Sequence, residues 1–186
     1  ETDPAYGPLM PHHLRAAIVQ FPSGTATGAD NIAIRAYSAL DDRVLLQLCM
    51  IYAACEKAGM WPSQWDTVLI CLLVKKDGGF RPIGIFMSPI RIYSKARFDL
   101  ARCWENNHPR PCLYGGPSRG AQRAAWIAAF TAEHSALVKT HCAQVLLDLT
   151  KAFELVPHDV LIRCGILYGY PLWLLRMSLA SYRLQR

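Results

Sequence analysis

The segment spanning residues 67–86 constrains the fold of this chain more than any other part of its sequence. Residues 67–75 (TVLICLLVK) form a continuous apolar, partly β-branched run of strand length. Asp77-Gly78-Gly79 is a turn signal, and residues 80–86 resume as a second short strand. The pattern predicts a β-hairpin within a chain whose other periodic segments are mainly helical, which indicates an α+β or α/β domain.

The remaining segments are assigned from apolar spacing and from Pro and Gly signals. Residues 31–58 have helical spacing broken near Asp41-Asp42 and end at Gly59, which predicts two helices or one long bent helix. Ser88-Pro89 predicts the start of one basic amphipathic helix that runs through residue 104. Further segments are a mostly extended lead over 1–30 with one helical turn at 13–19, an apolar strand at 144–149, and helices at 118–138, 157–164 and 172–184.

Composition excludes several classes of protein. The 186 residues are 52% hydrophobic and 18% charged, so a wholly disordered chain is excluded and about one domain is expected. The longest apolar run, residues 44–55, is far shorter than the ~18–20 residues of a membrane span, and no basic-then-apolar leader suggests secretion. The seven cysteines include no C-x-x-C pair, which favours free thiols in a reducing compartment. We therefore expect an intracellular protein, nuclear or cytoplasmic, that is neither secreted nor bound to a membrane.

Positive charge is concentrated in one part of the sequence. The net charge is +6, and residues 94–186 carry all of it, with twelve Lys/Arg against six acids. Residues 75–123 contain ten basic residues and three acidic ones. Such a basic band suits a polyphosphate partner, although an ordinary solvated surface would have the same composition.

Asp148 is the most informative single residue. It lies in the run VLLDL, whose apolar neighbours favour the interior, and an isolated carboxylate there needs a cation, an ion pair or hydrogen bonds. An Asp at the end of a buried strand is a common Mg²⁺ ligand. The alternative is a helix N-cap, because Thr-Lys-Ala-Phe follows.

The string LLDLTKAFELVPHDVL, residues 146–161, closely resembles motif A of reverse transcriptases of the non-LTR retrotransposon type. The matching positions are Asp148, Lys151, Ala152, Phe153, His158 and Leu161. Glu154 stands where that family usually has a second Asp.

Upstream segments resemble the same family in order and spacing. Gly28-Ala29-Asp30 resembles the Gly-x-Asp that precedes the first fingers helix, and Pro62-x-x-Trp65 precedes a hairpin bounded by Lys75-Lys76 and Arg81-Pro82-Ile83. The segment 91–95 resembles the helix that follows, and 114–118 is loosely like the Gln-x-Gly-Phe segment. The resemblance runs from about residue 28 to 186 and implies an α+β fold: right-hand polymerase fingers with a partial palm, lacking the motif-C hairpin and the thumb.

The resemblance also implies domain boundaries and roles for individual residues. Residues 1–30 would be an extended lead, 31–110 the fingers (hairpin at about 67–86) and first palm helix, and 111–186 a partial palm with the motif A strand at 144–149. Asp148 would be catalytic and, with the Leu149 carbonyl, would bind Mg²⁺ (or Mn²⁺) in a complete active site. The residues implied to bind the incoming nucleotide are Lys76, Arg81, Lys151, Ala152 and Phe153, with Phe153 under the sugar selecting deoxynucleotides.

Four basic residues of the following helix, Arg91, Lys95, Arg97 and Arg102, would contact nucleic acid, the partners being an RNA template, a DNA primer and deoxynucleoside triphosphates. Each role has a plain alternative: solvated charges on the hairpin and the helix, and a core position for Phe153.

The expected function follows from what matches and what does not. The resemblance implies the N-terminal part of a reverse transcriptase, which makes DNA by two-metal nucleotidyl transfer in the full-length protein. No Asp-Asp pair follows Asp148, so these 186 residues are expected to be inactive alone. The alternatives are a decayed or domesticated module that binds nucleic acid or protein without catalysis, and a structural subunit of related fold.

Overall fold

Helices and one small sheet make up the part of the chain that the structure describes, in agreement with the α+β expectation. A computed structural model describes residues 7–109, 114, 120–145, 147 and 155–185. Its contacts divide the chain into two compact units, residues 1–104 with 157–186 and residues 105–156, and each is described by itself. The elements are α1 (Pro11–Val19), α2 (Asp42–Ala58), β1 (Leu69–Val74), β2 (Phe80–Ile85), α3 (Ser88–Ala96), α4 (Phe98–Asn107), α5 (Ala121–Leu137), α6 (His158–Leu167) and α7 (Leu172–Tyr182). The fingers and palm boundaries given above stay a prediction.

The β-hairpin forms where the sequence predicts it. β1 and β2 pair antiparallel, with Val74 opposite Phe80 at the turn end and Leu69 opposite Ile85 at the other. The Lys75 N–H donates to the Gly79 carbonyl at 3.1 Å, and Gly78 and Gly79 adopt φ of 88° and 81°. These left-handed angles strain most side chains, which explains the Gly-Gly pair in the turn.

The region predicted as two helices or one bent helix is two separate helices. A 3₁₀ helix at Ile34–Ala39 is followed by α2, and Asp41 caps α2 by accepting a 2.9 Å hydrogen bond from the Val44 N–H. α2 ends at Gly59, whose φ of 69° is the left-handed conformation typical of a helix C-terminus. In the lead, α1 is two residues longer than the predicted turn at 13–19, because it begins at Pro11, and Pro suits the first position of a helix.

The prediction of one helix over 90–104 is wrong. The helix is interrupted at Arg97, which separates α3 from α4. Arg97 has φ −94° and ψ −2°, its N–H still bonds to the Tyr93 carbonyl, and its side chain is buried. Ser94 also donates its hydroxyl to the Ile90 carbonyl, a bond that competes with the helix ladder and bends helices.

The core of the first unit is aromatic at its centre. Tyr52 of α2 and Tyr93 of α3 have ring centroids 5.2 Å apart, and Trp61 meets the Tyr93 ring edge-on at 5.1 Å. The Tyr52 hydroxyl donates to the Pro89 carbonyl at 2.7 Å, and the Trp61 indole N–H donates to the Ser181 hydroxyl at 3.0 Å. These bonds satisfy the polar atoms of buried aromatic side chains and join α2, α3 and α7.

The second unit contains α5, which matches the helix predicted over 118–138. The strand predicted over 144–149 is wrong for its described residues 144, 145 and 147, which form no strand. Val145 and Leu147 are 80% and 84% exposed, and no other described strand pairs with them to satisfy their backbone groups. The Gln144 side chain instead donates to the Ala128 carbonyl of α5 at 2.9 Å. In the part of the chain that the structure describes, no helix has the length and apolar character of a membrane span.

Candidate nucleic-acid interface

The predicted catalytic segment falls outside the described residues. This applies to Asp148 and Leu149, proposed as metal ligands, and to Lys151, Ala152 and Phe153, proposed to hold the nucleotide. Their roles therefore stay predictions. Within the ranges that the structure does describe, no group of three or more His, Cys, Asp or Glu side chains is arranged to hold a metal ion.

The two predicted phosphate-binding residues of the hairpin are both exposed. Lys76 lies in the turn, and Arg81 is on β2 opposite Leu73. Neither side chain has a hydrogen bond or an ion pair among the described residues, whereas Arg15 and Arg163 are each paired with a carboxylate. Arg gives bidentate contacts to a phosphate and Lys a point charge, so the hairpin tip offers both kinds of donor.

Arg91 is held by the protein. Its guanidinium donates to the Ala26 carbonyl at 2.6 Å and lies 5.7 Å from the centre of the Phe21 ring. Burial lowers the pKa of this guanidinium, while the nearby Asp30 carboxylate raises it. We therefore interpret Arg91 as a structural residue that connects α3 to the loop after α1. Its side chain is only partly exposed to solvent.

Arg97 requires a correction, because it lies in the interior. The Arg97 and Glu56 side chains are only 6% and 5% exposed and form a bidentate pair with bonds of 2.8 and 3.0 Å. Arg97 also donates to the Gly7 carbonyl at 3.2 Å, and its guanidinium lies 4.8 Å from the centre of the Trp173 ring. Each of its three guanidinium nitrogens donates to a protein group, so we remove Arg97 from the predicted nucleic-acid-binding set.

Tyr93 completes this buried network. Its hydroxyl donates to Glu56 Oε1 at 2.9 Å. Burial raises the pKa of Tyr93 well above its usual range, and the Glu56 carboxylate raises it further. Glu56 thus accepts from both Tyr93 and Arg97, which gives the buried carboxylate the compensation that it needs.

Two of the four residues predicted to bind nucleic acid, Lys95 and Arg102, have a charged group that solvent can reach. Lys95 of α3 is half-buried and places its ammonium 5.4 Å from the centre of the Phe98 ring. Arg102 of α4 is exposed. The predicted nucleic-acid-binding set of this region is therefore reduced to Lys95 and Arg102, with Arg91 partly exposed.

The double variant Lys95→Gln/Arg102→Gln tests this surface. Each phosphate contact releases counterions, so removing two contacts lowers the slope of log K against log salt by about 0.7–0.9 per contact. Affinity for single-stranded and hybrid oligonucleotides is measured by fluorescence anisotropy between low and moderate salt. Arg163→Gln, at an exposed helical ion pair with Asp159, is the matched control and leaves the slope unchanged. An equal slope in the double variant would show that this helical face contacts only solvent.

The Gly-x-Asp segment has a structural role that sequence spacing did not reveal. Asp30 accepts a 2.7 Å hydrogen bond from the Ser88 N–H, at the first residue of α3. A carboxylate there satisfies an unpaired N–H and interacts favourably with the positive end of the helix dipole. Ser88 in turn donates its hydroxyl to the Ile32 carbonyl at 2.6 Å. Asp30 therefore caps a helix 58 residues further along the chain rather than the next one.

Gly28 lets this loop approach the end of the hairpin. A Cβ at residue 28 would lie 2.5 Å from the Phe86 carbonyl oxygen and 3.0 Å from the Met87 Cα, both backbone atoms. Gly28→Ala is therefore expected to lower the free energy of unfolding by about 1–3 kcal/mol, the usual range for overpacking. Chemical denaturation measures the change. Gly24→Ala, where a Cβ meets no atom within 4 Å, should change stability little, and an equal loss in both variants would contradict the steric explanation.

No protein-family model matches the chain. The chain is similar to a Drosophila melanogaster protein described as a probable RNA-directed DNA polymerase from transposon BS, with 26% identity over 166 residues. The match covers 83% of this chain and 18% of the Drosophila protein, so the chain spans less than a fifth of that relative's length. The similarity supports a relationship to reverse transcriptases.

Proposed function

We propose that this chain is the fingers and first part of the palm of a reverse transcriptase of the non-LTR retrotransposon type. The full protein would synthesise DNA on an RNA template from deoxynucleoside triphosphates. The observation that carries the proposal is the similarity to a transposon polymerase across 83% of the chain. The motif A resemblance of residues 146–161 in the sequence supports it.

The hairpin supports the proposal independently of the catalytic segment. The turn of the hairpin is exposed, and neither Lys76 in the turn nor Arg81 on β2 has a hydrogen-bond or ion-pair partner among the residues that the structure describes. Cationic side chains at the tip of a hairpin can change conformation to bind a triphosphate, because they make no contacts with the core that this movement would break.

The metal belongs to the same proposal. A carboxylate from Asp148 and a carbonyl from Leu149 are hard oxygen donors, which suit Mg²⁺. When bound, such an ion neutralises charge on transferring phosphoryl groups. One carboxylate rarely retains Mg²⁺, so we expect these 186 residues alone to bind it weakly and to extend no primer.

Nucleotide choice provides the test. In a polypeptide that joins these residues to a Tyr/Phe-x-Asp-Asp hairpin and a thumb, we expect primer extension on a homopolymer RNA template with deoxynucleotides. Phe153→Val should admit ribonucleotides, because a smaller side chain leaves space for a 2′-hydroxyl. Extension rates with both nucleotide types give the selectivity ratio, and thermal unfolding gives stability.

Two outcomes would contradict the proposal in different ways. If Phe153 is only a core residue, Phe153→Val lowers stability and leaves the selectivity ratio unchanged. Phe130→Val, which truncates a 68% exposed Phe on α5, is the control for a general effect of shortening Phe. Complete inactivity of the completed polypeptide, with nucleic-acid binding intact, would favour the non-catalytic module instead.

A further inference from the structure

A groove of about 1000 Å³ is lined by the C-terminal half of α2, by one face of α7 and by the loop that follows α2. On the α2 side it contacts Ile51, Ala54 and Ala58, which are three and four residues apart and therefore share a helix face. On the α7 side, residues 176, 179, 180 and 183 have the same helical spacing. Two helix faces thus form the walls of a groove within the first unit.

The groove exposes apolar side chains to solvent. Met60, in the loop after α2, is 62% exposed, Ile51 is 42% exposed, and Ile162 of α6 is 43% exposed, and all three line the groove. The volume is at the upper end of the roughly 300–1,000 Å³ of small-molecule sites, so a larger ligand fits. Contiguous apolar surface with polar residues at its border is typical of a contact site for another protein.

Charged side chains border these apolar walls. Arg176 and Arg183 are seven residues apart, hence about 10 Å apart along the same side of α7. Arg176 donates to the Ala58 carbonyl at 2.9 Å, which holds it at the end of α2. Among the residues that the structure describes, neither the exposed Arg183 guanidinium nor the Asp66 carboxylate, which also lines the groove, has a hydrogen-bond or ion-pair partner. The groove therefore offers two cations and one anion to a ligand.

We propose that this groove binds an acidic amphipathic helix of a partner protein. Apolar side chains of that helix would fill the groove, as in other helix-in-groove complexes. Asp or Glu residues seven positions apart lie on one helix face, and they would pair with Arg176 and Arg183. A basic residue of the partner would face Asp66. The inference goes beyond polymerase activity, because it uses neither the catalytic segment nor the hairpin.

Two other occupants fit the groove less well. A second copy of this chain carries a net charge of +6, which opposes the two arginines. Single-stranded nucleic acid binds through exposed aromatic rings, whereas Trp61, the aromatic residue that lines the groove, is only 8% exposed. Asp66 would also repel phosphates. A helix with apolar and acidic side chains satisfies the apolar walls and the arginines together.

Selection from a displayed library of helical peptides tests the chemistry of the occupant. The library randomises the apolar face and its borders in a helix of about four turns, and the 186-residue chain is the target. We expect enriched peptides to combine an apolar face with acidic residues seven positions apart. Fluorescence anisotropy then gives the Kd of the synthesised peptides for the chain and its variants.

The variant Met60→Glu tests the apolar wall. It places a charge in the groove and should weaken binding of the selected peptides by about tenfold or more. Met50→Glu is the matched control, because Met50 is 66% exposed on α2 and does not line the groove. This control should leave the Kd unchanged, and circular dichroism shows whether both variants keep their helices.

A charge exchange tests the role of Arg183. Arg183→Glu sets like charges against each other and should weaken binding of an acidic peptide by about tenfold or more. Changing the facing acidic residue of the peptide to Arg should restore most of the lost affinity. Such a rescue reports a direct pair, since a general loss of folding could not be reversed by changing the peptide.

Four results would overturn the proposal. The first is a selection that enriches no acidic amphipathic sequences, and the second is an equal Kd for Met60→Glu and Met50→Glu. The third is a dimer in sedimentation that Met60→Glu dissociates, which would assign the groove to a second copy. The fourth is oligonucleotide binding that falls in Arg183→Glu without any peptide binding, which would assign the groove to nucleic acid.

Discussion

Replacing Arg97 by Met is expected to lower the free energy of unfolding by about 3–5 kcal/mol, the cost of leaving one partner of a buried ion pair uncompensated. The residual charge is on Glu56, which is buried and, among the described residues, would keep the Tyr93 hydroxyl as its one hydrogen-bond partner. The Gly7 carbonyl would also lose its bond to Arg97. Chemical denaturation followed by circular dichroism measures the change.

Two comparisons separate the buried pair from a general effect of losing arginine. Arg102→Met, on the exposed side of α4, should change stability by no more than about 0.5 kcal/mol. The double variant Glu56→Leu/Arg97→Met should be more stable than Arg97→Met alone, because no unpaired charge remains inside. A loss in Arg97→Met no larger than that in Arg102→Met would contradict the interior position of Arg97.

The hairpin could be predicted from sequence because its determinants are local. The apolar run of residues 67–75, the Asp-Gly-Gly turn and the following strand lie within about 20 residues, and Gly78 and Gly79 adopt the angles that their identity predicts. The same holds for the Asp41 cap and the Gly59 terminus of α2. In each case the residue type favours a backbone conformation or hydrogen bond within the same turn, so the neighbouring sequence is enough to predict it.

The position of Arg97 depends on a distant partner, and sequence reasoning missed it. Spacing places Arg91, Lys95, Arg97 and Arg102 on one basic helix, and nothing within that helix distinguishes them. Glu56 lies 41 residues earlier and turns Arg97 inward. A single acidic residue in the last apolar turn of α2 was the available signal, because an acid at a core-facing position needs a buried base. Periodicity alone cannot supply that pairing.

The segment around Asp148 shows a second limit of pattern reading. Apolar, strand-length runs occur at 67–75 and 144–149, yet only the first has a paired strand among the described residues. Its partner follows after a five-residue turn, whereas residues 144, 145 and 147 have none, and Val145 and Leu147 face solvent. Strand propensity indicates a segment that can pair, and the pairing itself depends on a second strand.

Asp148→Asn has the largest expected effect on activity. In the completed polypeptide, we expect primer extension to fall by about three orders of magnitude or more, the scale on which groups that stabilise transition-state charge act. The amide is neutral and cannot balance the charge of a metal ion. Asp159→Asn is the matched control, since it removes an exposed carboxylate from a helical pair with Arg163 and should leave extension unchanged.

The same substitution distinguishes catalysis from a helix N-cap. Asn caps helices as well as Asp does, so under the N-cap alternative Asp148→Asn preserves both stability and extension. Asp148→Ala then separates the roles further, because loss of a cap costs about 1 kcal/mol of stability, whereas loss of a metal ligand removes activity at little cost to folding. The extension rate and the free energy of unfolding, measured for each variant, therefore distinguish a metal ligand from a helix N-cap. An active Asp148→Asn enzyme would assign Asp148 to helix capping and remove the carboxylate on which the proposed chemistry depends.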